Sequence, residues 1–228
     1  MTNNRFSLFS CYKLNQTMPY ILNVPFADKD EVKALGAYWL TEIKKWIIPD
    51  HIEDINRFAK WIPAGRLDCI IRKPYLLAKA TRICWKCGQK TPVMAPAAVN
   101  YYHLEQVDED DPEGGEVAWV KGENPTLFSY LQSADLPAME YFKKVHPQFK
   151  YSFSKAIQFS YWANTCKHCG ILQGDFELHD EPGGPFFPIA YDPDDIKIVA
   201  FQLDYDYAIE GEYGGEQFEE MDFSEFMK

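Results

Sequence analysis

Two short motifs constrain this chain more than anything else in it: Cys84-Trp-Lys-Cys87-Gly88 and Cys166-Lys-His-Cys169-Gly170. Two thiolates three positions apart on a tight turn reach one metal ion from the same side. The turn aims backbone N–H groups at the sulfurs, and the following glycine supplies a permissive backbone angle. Two such knuckles make a closed tetrahedral four-thiolate site, so Cys84, Cys87, Cys166 and Cys169 are the expected ligands of a structural Zn²⁺. The gap of 78 residues between Cys87 and Cys166 far exceeds the ~15–20 of a compact zinc motif, so a folded insertion is expected between the halves, near 105–150.

Other uses of these cysteines fit less well. A redox dithiol at 84–87 does not explain a second matching knuckle. A disulfide scaffold needs more than six cysteines in 228 residues and suits a secreted chain. A catalytic zinc needs an open position that four thiolates do not leave. His168, between two ligand cysteines, is an alternative donor, though a solvent-facing position suits it better. Cys69 reads as a small core residue, and Cys11 has no partner pattern.

Composition narrows the class. Hydrophobic residues make up 46% and aromatics 16%, enough for a packed core. No apolar run approaches the ~20 residues of a membrane helix, and the first 17 residues lack the apolar stretch and cleavage site of a secretory signal. No membrane partner is expected, and the reading is of a cytoplasmic protein. The net charge of −11 is uneven. Residues 1–90 carry 15 Lys and Arg against 8 Asp and Glu, residues 91–190 carry 6 against 14, and residues 191–228 carry 2 against 12. A basic front suits a phosphate backbone, whereas an acidic tail reads as a solvated end.

Local patterning divides the chain. Residues 20–26 read as a strand. Asp28 and Glu31 form a capping box, and Val32, Leu35 and Trp39 follow on one helical face, interrupted by Gly36. Residues 43–48 read as a second strand stopped by Pro49, and residues 51–61 as a second helix closed by Pro63. Beyond, strands are expected at 67–72, 91–104, 151–162, 174–179 and 196–208. Helices are expected at 126–131 and 135–145, an acidic loop at 108–116, a turn at 182–185 and fraying past 209. The fold class expected is α+β: a strand–helix–strand–helix module, then a β-rich split zinc-ribbon domain. The boundaries are a disordered 1–18, a basic module 19–63, a zinc domain 64–208 with its insertion, and an acidic tail 209–228.

Catalytic signals are weak. The chain has no phosphate-cradling glycine loop, no His-Glu-x-x-His and no nucleophile elbow. His103, His146 and His179 stand alone, and the acids at 108–111 lack calcium-loop spacing. The chain reads as a binding protein rather than an enzyme, with His168 and Asp175 as the best candidates if chemistry is hidden. Lys33, Lys44, Lys45, Lys60, Arg66, Arg72 and Lys73 could line a basic face, with Tyr38, Trp39, Trp46 and Trp61 among them; Trp39 and Trp46 are expected in the core.

Residues 19–63 carry Tyr20-x-x-Asn23-Val24-Pro25-Phe26, Lys29-Asp30-x-x-Lys33-x-Leu35-Gly36-Ala37-x-Trp39, Lys45-Trp46-x-x-Pro49 and Phe58-x-x-Trp61. This resembles a small bacterial domain of unknown function that recurs in plasmid primase-like and mobilisation proteins. Tyr161-Trp-Ala-Asn164-x-Cys166-x-x-Cys169-Gly170-x-x-Gln173-Gly174-Asp175 looks like the second half of a split zinc ribbon in uncharacterised bacterial proteins with the same front domain. The resemblance implies a nucleic-acid-associated accessory module of a bacterium or mobile element, a start near Met18, and no assigned reaction. Lys33, Lys44 and Lys45 are the expected contacts to DNA or RNA phosphates. The rival expectation is an adaptor or inhibitor that docks a basic protein partner through Tyr205, Tyr207, Tyr213, Phe218, Phe223 and Phe226 of the acidic rear.

Overall fold

The computed structural model describes residues 19–63, 68–106, 117–189 and 195–214, with Phe223, Glu225 and Phe226. The front unit holds β1 (Tyr20–Leu22), helix α1 (Lys29–Ala34), β2 (Tyr38–Leu40) and β3 (Lys45–Ile48). These strands form an antiparallel sheet in the order β1-β3-β2. Gly36, at φ +100°, ends α1 after six residues and turns the chain into β2. Trp39 therefore leaves the helical face its spacing suggests and stands on a strand opposite Trp46.

The expected strand–helix–strand–helix module is corrected. The front unit has three strands rather than two, and the segment 51–61 contains a 3-10 helix only at Asn56–Trp61. The cause is the apolar spacing. Ile52, Ile55, Phe58 and Trp61 are three apart and all buried. Three residues per turn is the 3-10 period, so one ridge of that helix buries Phe58 and Trp61, while Ile52 and Ile55 bury themselves from the irregular stretch before it. The Asn56 side chain holds the turn to the neighbouring chain, donating to the Trp119 carbonyl at 2.8 Å and accepting from its N–H at 2.7 Å.

Most of the remaining described chain is antiparallel sheet. It comprises β4 (Cys69–Ile71), β5 (Tyr75–Ile83), β6 (Lys90–Ala98), β7 (Tyr101–Gln106), β8 (Val117–Lys121), β9 (Thr126–Ala134), then helix α2 (Leu136–Val145), β10 (Phe149–Ser154), β11 (Phe159–Asn164), β12 (Ile196–Phe201) and β13 (Tyr207–Tyr213). The path runs β12-β5-β6-β9-β13-β4-β7-β8, and the β10–β11 hairpin joins through β9. The α+β expectation thus gives way to a mostly β molecule. The knuckles sit at strand ends of a large sheet in which β13 is a central strand, rather than in a ribbon ending near 208.

Several local expectations change with it. Residues 126–131 are strand, and Leu127, Phe128 and Leu131 bury themselves between β6 and β13. Residues 176–180 form a π-helical turn that buries Leu178 and His179 as consecutive residues, which strand alternation does not allow. The run 196–208 breaks between β12 and β13, and 151–162 is a hairpin rather than one strand. Fraying past 209 is replaced by pairing, since Ile209 faces both Cys69 and Ala134. Helix α2 forms as expected. The acidic loop at 108–111, the extension 1–18 and Arg66 lie outside the described residues.

The sheet is covered on both faces, which explains the continuous burial of β4. Cys69 and Ile71 point to a core shared with Phe142 and Met139 of α2, and Ile70 points the other way. There it meets Tyr102, Trp119 and Ala208 together with Leu22, Ile48, Phe58 and Trp61 of the front unit. The front unit thus completes its core against the large sheet, which a segment of this size needs. A buried ion pair fastens the junction. Arg72 Nε donates to Asp206 Oδ2 at 3.1 Å, Nη1 to the Ile52 carbonyl at 3.0 Å and Nη2 to Asp50 Oδ1 at 3.3 Å. Tyr75 donates to the other Asp206 oxygen at 2.8 Å. Among the described residues, no helix is long and apolar enough to cross a membrane.

Candidate metal centre

The first knuckle is the turn between β5 and β6, and the second follows β11. Their backbones repeat one design. Cys84 N–H donates to the Gln89 carbonyl and Gly88 N–H to the Cys84 carbonyl, each at 2.9 Å. Cys166 N–H donates to the Ile171 carbonyl at 2.8 Å and Gly170 N–H to the Cys166 carbonyl at 2.9 Å. Gly88 and Gly170 sit at φ +70° and +71°, the left-handed region in which a side chain is strained.

What brings the knuckles together is a side chain acting as strand. Pro92 and Pro96 have no N–H to give, and they share parity with Met94, whose N–H points away from β5. Buried Asn164 closes this edge: its Oδ1 accepts from Met94 N–H and its Nδ2 donates to the Met94 carbonyl, both at 2.9 Å. Thr91 Oγ1 then accepts the Lys167 N–H at 3.0 Å, and His168 Nε2 lies 3.1 Å from the Lys90 carbonyl. The end of β11 and the start of the second knuckle are thereby held against β6, and the two knuckles meet.

The result is a cluster of four sulfurs, all within 4.8 Å of one another. Cys84 Sγ is 3.7 Å from Cys169 Sγ, and Cys87 Sγ is 3.7 Å from Cys166 Sγ. A tetrahedral site with metal–sulfur bonds of about 2.3 Å has sulfur–sulfur edges of about 3.8 Å, so the spacing fits one ion. Cys84 and Cys166 are buried, Cys87 is half-buried and Cys169 is exposed. Burial pushes the Cys84 thiol up. The N–H groups of Cys87 and Lys86, with the Gln173 amide 3.5 Å from the sulfur, outweigh it and bring the pKa down to about 6. Cys166 is lowered in the same way, its burial overcome by the N–H groups of Cys169 and His168. At Cys87 the Gln89 amide pulls down, but burial and the three neighbouring sulfurs win and push the pKa up to about 12. A bare cluster therefore resists holding four negative charges, and a dication removes that conflict. The four cysteines could hold a metal ion.

The other candidates are scattered. Lys33, Lys44 and Lys45 are exposed, the first on α1 and the other two at the β2–β3 turn and the start of β3. Lys60 is committed to Asp28 at 3.2 Å and Glu31 at 3.0 Å, and Arg72 is buried in its network, so neither serves a basic face. Trp39, expected in the core, is 40% exposed, and its ring meets that of half-buried Trp46 edge-on at 5.6 Å. Trp61 is buried and donates to Asp28 at 2.8 Å. Cys69 is buried, as its reading as a core residue requires. His146 and His179 are buried, and burial lowers them to about 4 and about 3, so both stay neutral. Of the proposed acidic-rear anchors, Tyr207 and Phe223 are core residues, and Tyr213 packs against Tyr101 and Phe128. Tyr205, Tyr213 and Phe226 are half-buried, and Phe218 lies outside the described residues. Gln173 was missed as a neighbour of the sulfurs, although its position three residues past Gly170 offered a signal.

A family model matches the front unit. Residues 20–63 match a family described as a domain of unknown function, DUF5710. A 44-residue stretch, 19% of this chain, is 52% identical to a segment of the DNA primase TraC of Escherichia coli. That stretch covers 4% of the primase. No solved structure matches the chain.

Proposed function

We propose that this chain is a non-catalytic zinc protein that works as a nucleic-acid-associated accessory module of a bacterium or mobile element. The observation that carries the reading is the front unit. Its likeness to a segment of a DNA primase coincides with exposure of Lys33, Lys44 and Lys45 beside a hairpin whose Trp39 is partly in solvent. These lysines contact phosphates, and Trp39 offers a ring to a base.

Cys84, Cys87, Cys166 and Cys169 hold the Zn²⁺. All-sulfur donors at tetrahedral spacing suit zinc over harder cations, and four thiolates leave no open position for water, so the ion is structural. Bound there, it neutralises charge and locks two chain-distant turns together. The residues around it hold that geometry: Asn164 sets the register, and the knuckle amides orient the sulfurs.

Fluorescence anisotropy of labelled DNA, single- and double-stranded, with metal-loaded protein across a salt series tests the reading. Binding at low salt that weakens steeply as salt rises is expected. No anisotropy change at low salt would overturn it.

A further inference from the structure

The chain has 34 Asp and Glu, yet two long stretches contain none: 69–104, with six Lys and Arg, and 141–174, with five Lys. These are the stretches that carry the two knuckles and meet at the sulfur cluster. We infer that the surface around the knuckles is a second nucleic-acid-binding face, which takes a single strand by its phosphates and stacks one base on Trp85.

Three exposed lysines crowd this face. Lys86 and Lys167 lie inside the two knuckles. Lys90 is tied to the second by the contact of its carbonyl with His168, and the neighbouring Thr91 accepts the Lys167 N–H. Among the described residues no carboxylate pairs with Lys86, Lys90 or Lys167. Half-buried Arg82 adds a fourth charge, its guanidinium held on the Gln173 carbonyl at 3.1 Å. Four thiolates around a dication leave a charge of −2, so four cations do more than balance the cluster and leave a positive surplus for phosphates.

The ring supplies the second half of the argument. Trp85 is 61% exposed, although its indole N–H is fixed to the Leu172 carbonyl at 2.9 Å. Its polar edge is satisfied by the other knuckle, and its ring stands in water in one orientation. A large ring held in one orientation in water loses little further freedom when a planar group stacks on it. A fixed ring among unpaired cations is how an unstacked base is received, and a duplex, whose bases are stacked, cannot use it. Trp85 was passed over in the sequence because it lies between ligands; the acid-free stretches were the missed signal.

This inference rests on the nucleic-acid reading of the whole chain, and the test separates the two. Zinc-loaded full chain is titrated into fluorescein-labelled oligothymidylate, a labelled duplex and labelled polyglutamate across a salt series. The comparison uses wild type, a front variant (Lys33→Ala, Lys44→Ala, Lys45→Ala), a knuckle variant (Lys86→Ala, Lys90→Ala, Lys167→Ala), Trp85→Ala and Trp85→Phe, each checked for retained zinc. The knuckle variant should reduce the salt slope by about 2, at ~0.7 per phosphate contact on a single strand. Trp85→Ala should weaken oligothymidylate binding on the order of 10-fold, with Trp85→Phe retaining most of it and duplex binding unchanged. Wild-type salt slope in the knuckle variant, with binding lost in the front variant, would overturn the inference and leave the proposed function standing. No binding by wild type would overturn both. Equal loss of polyglutamate and oligothymidylate binding in the knuckle variant, with Trp85→Ala without effect, would assign the face to acidic peptides and overturn it as well.

Discussion

The sulfur of Cys84, buried at the end of β5, lies 3.7 Å from that of Cys169, exposed beyond the end of β11, although 85 positions separate them in the chain. A metal held by both knuckles would span that much sequence and act as a clamp on the sheet as a whole. Removing it with a strong chelator under reducing conditions is expected to lower the thermal midpoint on the order of 10 °C, and to raise amide exchange first around Met94 and Cys166. Calorimetry and hydrogen exchange check this. An unchanged midpoint would show that the sheet does not need the clamp.

Arg72 is the next point of failure. It is buried with Asp206 and reaches across to Asp50 and Ile52 of the front unit. Arg72→Met leaves the Asp206 carboxylate buried with only Tyr75 for a partner, and is expected to cost about 3–5 kcal/mol in urea unfolding. Arg72→Met with Asp206→Leu should recover much of the loss, since neither charge is then stranded.

Asn164 stands in for a strand, and its removal should cost more than its size suggests. Asn164→Ala leaves the buried Met94 N–H and carbonyl without partners, an expected loss of about 2–6 kcal/mol at ~1–3 kcal/mol per group. Weaker zinc affinity should accompany it, because the second knuckle loses its register. Chelator competition measures the latter.

Asp175 gives a pH signature. Its Oδ2 accepts the Tyr130 N–H at 2.7 Å, and its other oxygen is buried with no partner among the described residues. Burial, reinforced by Asp180, Glu177 and Glu212, outweighs the Tyr130 amide and pushes the carboxyl up to about 7 from 3.8. The folded chain thus keeps a proton that the unfolded chain releases near its ordinary value. That contribution is complete below 3.8 and is lost as pH rises through about 7. Asp175→Asn cannot ionise. The stability of wild type relative to this variant should therefore fall between about pH 4 and about pH 7, by up to ~1.4 kcal/mol per unit. Urea midpoints of both proteins across that range read it, and a constant difference would contradict the assignment.

The meeting of the four cysteines was legible because metal chemistry demands a fixed spacing that little else produces. So was α2, whose buried Ala138, Met139 and Phe142 follow the helical period. Period alone misled elsewhere. Ile52, Ile55, Phe58 and Trp61 recur every three residues, but only Phe58 and Trp61 fall in a helix, and that helix is 3-10. Trp39 sits in helical register with Val32 and Leu35, but Gly36 takes the chain out of the helix before reaching it. The strand pairing was not visible at all, because the sheet is buried on both faces and alternation disappears from β4. The acidic rear concealed a central strand: Glu210 and Glu212 of β13 alternate with buried Ile209 and Gly211, and composition outweighed the alternation.

Native mass spectrometry of protein purified without added metal tests the central claim most directly. The account predicts one zinc ion per chain, lost when Cys84→Ser and Cys166→Ser are combined. A bare polypeptide, or zinc retained undiminished in that double variant, would contradict it.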